Sequence, residues 1–349
     1  MSKQLKNNKI KHIFFYPGNI NEKTGGYIYQ KNILDHAKKN KLPIKFHSLS
    51  KNFPNPTIKN LEDLLKIVVK QNKDTNLIFD GLVLEGIEKI IDKLRSYKLI
   101  ALIHHPLYLE YKGNKSLKFL IKAKNTYEKI DFFIVTSTET KKLLIKIFKI
   151  KSSKISIVEP GINKFKKFDK IKNDKINFLT CGSIIERKKY DYLLSETKNI
   201  NNIIINIVGN ISRESEYSNN IFRYIKKYSL EKKIILHGKV SQNKLEKLYS
   251  KSDFYISTSN YEGFGMSLAN ASMSKLPIIS YKTSTIKKTI GIKGVLFFTN
   301  FKLGTLKRLI IDNCFDKNNY QKLKSNISNN RYISTKQSAS QFMKVLNNA

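Results

Sequence analysis

The chain has no tryptophan, two cysteines, seven prolines, and 27 acidic side chains against 65 Lys and Arg. Cys181 and Cys314 lie far apart and form neither a metal-binding nor a redox spacing, so free, buried thiols in a reducing compartment are expected. No segment approaches the roughly 20 apolar residues of a membrane-spanning helix. The opening MSKQLKNNKIKHIFFYPGN has basic residues but an apolar run too short for a secretory signal. The expected location is therefore cytoplasmic, soluble or peripheral at the inner face of the cytoplasmic membrane. There is no Asp-x-Asp pair, no Cys or His cluster, no Gly-x-Ser-x-Gly elbow and no Gly-Lys-Ser phosphate loop. The usual signatures of metal-dependent, serine-nucleophile and ATP-loop chemistry are thus missing.

What is present is length and lysine. A chain of 349 residues suffices for two domains with two full cores. Its net charge of +38 raises the question of a dedicated nucleic-acid surface. Lys travels with abundant Asn and Ile along the whole chain, however, while Arg, the better residue for bidentate phosphate or base readout, is scarce. The excess therefore reads as compositional bias rather than specific nucleic-acid binding. It still attracts the chain to anionic lipid, at about 1 kcal/mol for each Lys close to the surface.

Apolar runs of strand length alternate with helical segments. They are KHIFFY, IKFHSLS, NLIFDG, KLIALIHH, FFIVTS and ISIVEPG, then INFLTCG, IIINIVG, KIILHG, DFYIST, LPIISY and GVLFF. Between them, IYQKNILDHAKK and LEDLLKIVVKQ space their apolar residues along one helix face. Continuous Ile, Leu, Val and Phe runs mark strands covered on both faces, hence parallel sheets with right-handed crossovers. The fold class expected is α/β, with two doubly wound, Rossmann-like domains joined near Glu159, Pro160 and Gly161. Residues 1–165 form the first, 166–333 the second, and 334–349 a terminal helix that packs back on the first.

Ligands of such sheets bind at the carboxyl ends of the strands. The richest such end is in DFYISTSNYEGFGMSLANASMSKLPIISY, where Glu262 precedes a Gly263–Phe264–Gly265 turn and a helix. Free N–H groups and the positive dipole end there suit an anion beside a carboxylate. After INFLTCG come Gly182, Ser183, Arg187 and Lys188, whose cations could neutralise a diphosphate leaving group. In a chain so rich in Lys, Lys188 has a plain surface alternative, whereas Arg187 is harder to dismiss. In the first half, Gly25 and Gly26 open a helix and permit close backbone approach to a sugar or phosphate. Strand KLIALIHH ends in His104, His105 and Pro106, and NLIFDG ends in Asp80 and Gly81. Residues 108–130 put a Lys at nearly every turn among Tyr, Phe, Leu and Ile. They read as a Lys-coated surface helix with its Leu and Ile in the core, or alternatively as an amphipathic helix for an anionic bilayer; the first is preferred.

The segments GSIIERKKYDYLL, ILHGKVSQNKLEKLYSKSDFYISTS and NYEGFGMSLANA resemble, in order and spacing, the second domain of family 4 glycosyltransferases. These are retaining, nucleotide-sugar-dependent enzymes of the GT-B architecture. The resemblance covers about residues 176–290 specifically and the first half loosely, through the Gly25–Gly26 loop, the His104–Pro106 strand end and VEPG. It implies that Glu262 contacts donor sugar hydroxyls while the amides of Phe264, Gly265 and Met266, after Gly263 of the donor site, face phosphate. Arg187 and Lys188 would then meet the diphosphate, and His104 would lie near the donor sugar. Asn270 departs from the pattern by standing where the family has a second glutamate on the ribose. A neutral amide hydrogen-bonds ribose less strongly, about 0.5–1.5 kcal/mol against 1.5–3 for a charged partner. Ser183 likewise replaces an Arg that some members carry.

The expected function is hexosyl transfer from a UDP- or GDP-sugar, without metal and with retention, to an acceptor hydroxyl on a membrane lipid, lipid-linked sugar or envelope glycan. The expected partners are the nucleotide sugar, that acceptor and an anionic membrane surface. Two alternatives stand beside it: a catalytically impaired sugar-nucleotide-binding protein, suggested by Asn270, and a basic nucleic-acid-binding protein.

Overall fold

The structure, a computed structural model, describes residues 10–169, 174–211, 215–327 and 332–349. It divides into two compact units. One comprises Met1–Glu22, Gly26–Gly161 and Ile333–Ala349; the other comprises Lys23–Gly25 and Ile162–Tyr332.

The first unit is built on six parallel strands: β1 (His12–Pro17), β2 (Ile44–Leu49), β3 (Asn76–Asp80), β4 (Leu99–Ile103), β5 (Phe132–Val135) and β6 (Ile155–Ile157). Their order is β2-β1-β3-β4-β5-β6. The continuous apolar runs have the expected consequence, since β1 and β4 are buried at every position. Alternate side chains serve opposite faces. Phe14, Ile78, Ile100 and Leu102 pack under the helices Gly25–Lys39 and Thr335–Asn348, which contribute Tyr29, Ile33, Phe342 and Leu346. On the other face, Ile13, Phe15, Leu77 and Phe79 meet Leu61 and Leu64 of helix Ile58–Val68 and Ala123 and Tyr127 of helix Gly113–Tyr127. The terminal helix starts with a reciprocal cap between Ser334 and Gln337. A Cβ on Gly161 would lie 2.4 Å from the backbone of Thr335, so the close approach of chain to helix there needs glycine.

The second unit repeats the plan with β7 (Ile176–Cys181), β8 (Ile203–Val208), β9 (Ile234–Gly238), β10 (Phe254–Ser257), β11 (Ile278–Tyr281) and β12 (Val295–Phe298). Its order is β12-β11-β10-β7-β8-β9, and all pairings in both sheets are parallel. Each apolar run named above forms one of these strands.

In each sheet the strand order reverses beside the first strand, between β1 and β3 and between β7 and β10. In the second unit the helices after these two strands go to opposite faces: Tyr190 and Leu193 of helix Tyr190–Thr197 join one core layer, Leu268 and Ala271 of helix Met266–Met273 the other. A crevice therefore opens at the carboxyl ends of β7 and β10.

One sequence expectation fails. Helix Gly113–Tyr127 does not turn Leu117 and Ile121 into the core; they are 55% and 50% exposed. Phe119, Ala123, Thr126 and Tyr127 already form its buried face, and Leu117 and Ile121, one turn apart, fall on the opposite side.

Candidate active site

At the β7/β10 crevice the loop after β10 is sewn to the turn after β7. Thr258 Oγ1 donates to the carbonyls of Lys188 (2.8 Å) and Lys189 (3.1 Å), and the Asn260 amide donates to the Arg187 carbonyl (3.1 Å). Lys189 takes the left-handed conformation that ends the turn Glu186–Lys188. Held this way, Arg187 and Lys188 turn their side chains inward onto Glu262. Lys188 Nζ lies 2.6 Å from Glu262 Oε1, and Arg187 Nη1 lies 3.5 Å from Oε2 and donates to the Tyr261 carbonyl at 2.5 Å. The surface reading of Lys188 does not hold: its side chain is 12% exposed, and those of Arg187 and Glu262 are 8% and 10%.

Burial would raise the Glu262 pKa, but Lys188 and Arg187, with a hydrogen bond from Ser259, outweigh it and bring it down to about 2. Glu262 is thus a carboxylate. Lys188 is pulled below its ordinary value by burial and by Arg187, with Glu262 acting against both. The conflict has a simple origin, because two cations share one anion. The cluster carries a surplus positive charge, and the buried Arg187 Nε has no hydrogen-bond partner. Asn260 Oδ1, also buried, has none either. An incoming anion with polar substituents would relieve both deficits.

Behind Glu262, Gly265 has φ 92°, a conformation that suits glycine, and opens helix Met266–Met273 without a side-chain cap. Phe264 is buried against Ile162 and Ala269, and its carbonyl accepts from Thr289 Oγ1 at 2.6 Å, which fixes the turn. The amides of Gly263, Phe264, Gly265 and Met266 lie in this stretch. Asn270 sits one helical turn further on, partly buried. Gly182 leaves room for Lys188, since a Cβ there would stand 2.6 Å from Lys188 Cε and the lysine would have to shift away from its present place. Ser183 is buried beside it at the end of β7.

His104 belongs to the first unit, at the carboxyl end of β4. Gln30 ties it to Asp80: its amide nitrogen donates to Asp80 Oδ2 and lies 3.3 Å from His104 Nε2, which is 3.7 Å from the same carboxylate oxygen. Burial, with His105 beside it, lowers the His104 pKa to about 3, so the imidazole is neutral. Burial raises Asp80 to about 6. Gly26, in the first turn of helix Gly25–Lys39, is where a Cβ would come within 3.2 Å of the His104 ring; Gly25 is that helix's first residue.

The structure thus brings Glu262, Arg187, Lys188 and Gly182 into contact around one carboxylate, and His104 and Gly26 into contact in the other unit. Sequence reasoning noted Asp80 only as a strand end and passed over Ser259, Asn260 and Gln30 as site residues. Ser259 and Asn260 had one available signal, their place between the end of β10 and Glu262. Gln30 is one of many polar helix residues and had none.

Comparison with known proteins agrees with this architecture. The fold is the GT-B fold, of which the crystal structure of Anabaena HepE in complex with UDP and glucose is one example: TM-score 0.71, 12% identity, covering 97% of this chain and 100% of that one. Residues 161–330, which span most of the second unit, match the family model of glycosyl transferases group 1. An uncharacterized glycosyltransferase of Methanocaldococcus jannaschii is 25% identical over 266 residues, 69% of this chain and 64% of that protein. The GtfA subunit of a Streptococcus agalactiae UDP-N-acetylglucosamine–peptide N-acetylglucosaminyltransferase is 31% identical over 157 residues, 44% of this chain and 30% of that subunit. The match therefore spans less than two thirds of either relative's length.

Proposed function

We propose that the chain is a retaining, metal-independent glycosyltransferase that moves a hexosyl group from a nucleoside-diphosphate sugar to an acceptor hydroxyl. The observation that carries this reading is the buried cluster at the β7/β10 crevice, two cations on one carboxylate beside uncapped helix amides. Glu262 accepts hydrogen bonds from donor sugar hydroxyls. Arg187, Lys188 and the amides of Gly263 to Met266 bind the diphosphate, whose charge grows as the bond to the anomeric carbon breaks. Neutralising that growing charge is the role a divalent cation would otherwise fill. Asn270 faces ribose. The binding of UDP and glucose by Anabaena HepE supports a UDP-linked donor.

The reaction proceeds by front-face substitution. The acceptor oxygen bonds to the anomeric carbon on the face from which the nucleoside diphosphate departs, and the departing phosphate oxygen takes the acceptor proton. His104 is held neutral by burial in the first unit, so its ring can accept a hydrogen bond as well as donate one. The lysine-rich composition supports an acceptor at a membrane, namely a lipid, a lipid-linked sugar or an envelope glycan, and an enzyme peripheral at the inner face of the cytoplasmic membrane. Among the described residues no helix is long and apolar enough to cross one.

A thermal-shift screen with UDP-, GDP- and ADP-sugars, followed by release of nucleoside diphosphate, tests the reading. A ligand at 100 times its Kd adds about 2.7 kcal/mol. Glu262→Ala is expected to cut turnover at least about a hundredfold, the scale of several kcal/mol of transition-state contact. Equal turnover in the variant removes Glu262 from the mechanism, and donor binding without turnover on any acceptor class would instead favour the impaired, binding-only protein.

A further inference from the structure

Helix Gly113–Tyr127 has the sequence GNKSLKFLIKAKNTY, which holds four lysines and no acidic residue. Its buried face is complete without Leu117 and Ile121, which project one turn apart from the opposite side. Lys118 and Lys124 are exposed on that same outer surface. Lys115 and Lys122 lie over the Tyr111 and Phe119 rings, 3.9 and 5.6 Å from their centroids, which holds their long stems along the helix. Tyr111 is itself stacked on Phe119, 5.1 Å between centroids, so the approach to the helix is fixed to the core. A rigid helix thus presents two adjacent branched apolar side chains within a field of cations.

Isolated exposed apolar residues are ordinary, but a pair at this spacing ringed by lysines and free of acids is the pattern of a helix that lies in a lipid interface. We infer that this face docks the enzyme on an anionic bilayer, with Leu117 and Ile121 entering the acyl boundary and Lys118 and Lys124 contacting lipid phosphates. Charge selects the occupant. A second copy of a chain with net charge +38 would bring lysine against lysine, whereas a phosphate-bearing surface complements Lys118 and Lys124 beside the apolar pair. The inference rests on the membrane-acceptor reading above and deepens it, because the docking helix lies in the unit that carries the neutral His104 rather than the one that carries the diphosphate site.

The chain has no tryptophan, so Leu117→Trp provides a single emitter. Its emission is expected to shift to the blue with vesicles of phosphatidylcholine and phosphatidylglycerol, and to stay unchanged with phosphatidylcholine alone. In co-sedimentation, a Leu117→Gln/Ile121→Gln double variant is expected to bind the anionic vesicles about tenfold more weakly than the parent, while its turnover on a soluble acceptor is unchanged. Parent-like binding by the double variant would overturn the inference, as would equal binding to neutral vesicles. A parent dimer that the double variant dissociates, with no vesicle binding, would assign the patch to a second copy. Preferential, saturable capture of single-stranded DNA over vesicles would assign it to nucleic acid. Vesicle binding is read without donor, so its failure leaves the transfer reaction standing, and absence of turnover leaves the docking surface standing.

Discussion

At the crevice of the second unit, Asn270, one of two departures from the resemblance to family 4, is proposed to bear on affinity rather than on chemistry. Glu262, Arg187 and Lys188 form a closed buried cluster whose geometry does not involve Asn270, which stands on the next turn of the helix that follows. On the function proposed above, the consequence of a neutral amide at that position would be confined to the ribose, remote from the bond that breaks. Asn270→Glu is therefore expected to tighten donor binding about tenfold, the equivalent of roughly 1.4 kcal/mol for a charged over a neutral hydrogen bond. Titration calorimetry with the preferred nucleotide sugar measures it. An unchanged Kd would mean that Asn270 does not face the ribose, and a parallel rise in kcat would mean that it touches the reacting end of the donor. Gly182 illustrates the opposite coupling, because its missing side chain is the space that Lys188 occupies on its way to Glu262.

Helices in the second unit are started by different means, and the difference bears on what the sequence could reveal. Helix Gln242–Lys251 is capped by Ser241 and helix Ser284–Ile290 by Thr283, residues whose side chains announce a helix start. Helix Thr305–Cys314 follows a glycine and has no cap of its own; Glu196, more than a hundred positions earlier, accepts from the amides of Gly304 (2.7 Å), Leu306 (2.9 Å) and Lys307 (3.0 Å). Glu196→Ala would leave buried N–H groups unpaired at a helix start, and is expected to cost the second unit about 2–4 kcal/mol in denaturant unfolding. Glu196→Gln, which keeps an oxygen, should cost less than Ala; equal losses would show that packing rather than capping is at stake. No local pattern signals such a partner, whereas strands were legible where runs such as LIALI are buried on both faces of a sheet and must be continuously apolar. The same contrast holds for the site. Glu262 and its glycines stood out as a strand–turn–helix motif, but that Lys188 is buried depends on Thr258 and Asn260 binding the carbonyls of Arg187 and Lys188, a contact between two loops. The Gly113–Tyr127 helix was misread for a related reason: periodicity offered two apolar faces, and only packing against β-sheet residues such as Phe133 decided which was buried.

Across the whole chain, a charge of +38 makes buried carboxylates the groups whose ionisation shapes stability with pH. They act in opposite directions. Glu262, brought down to about 2, stabilises the fold above its unfolded value, and that contribution is lost as pH falls towards 2. Glu85 is fully buried, accepts from Tyr127 Oη (2.8 Å) and the Leu107 amide (3.1 Å), and leaves Oε2 unpartnered. Burial pushes its pKa up to about 8, with neighbouring Glu110 adding to the effect against the two hydrogen bonds. Between its unfolded value of 4.5 and about 8 the native state holds a proton that the unfolded chain has released, so this group makes stability fall as pH rises. The slope is on the order of 1.4 kcal/mol per pH unit for one proton. Glu85→Gln keeps a carbonyl for Tyr127 and Leu107 but cannot ionise. In urea unfolding of the first unit's transition at pH 5.5, 6.5 and 7.5, taken as about one-unit steps, the variant should therefore gain on the parent by roughly 1 kcal/mol at each step. A difference between the two proteins that stays constant with pH would show that Glu85 is already ionised in the native state, and that the buried pocket beneath the His104–Glu110 turn holds a charge rather than a proton.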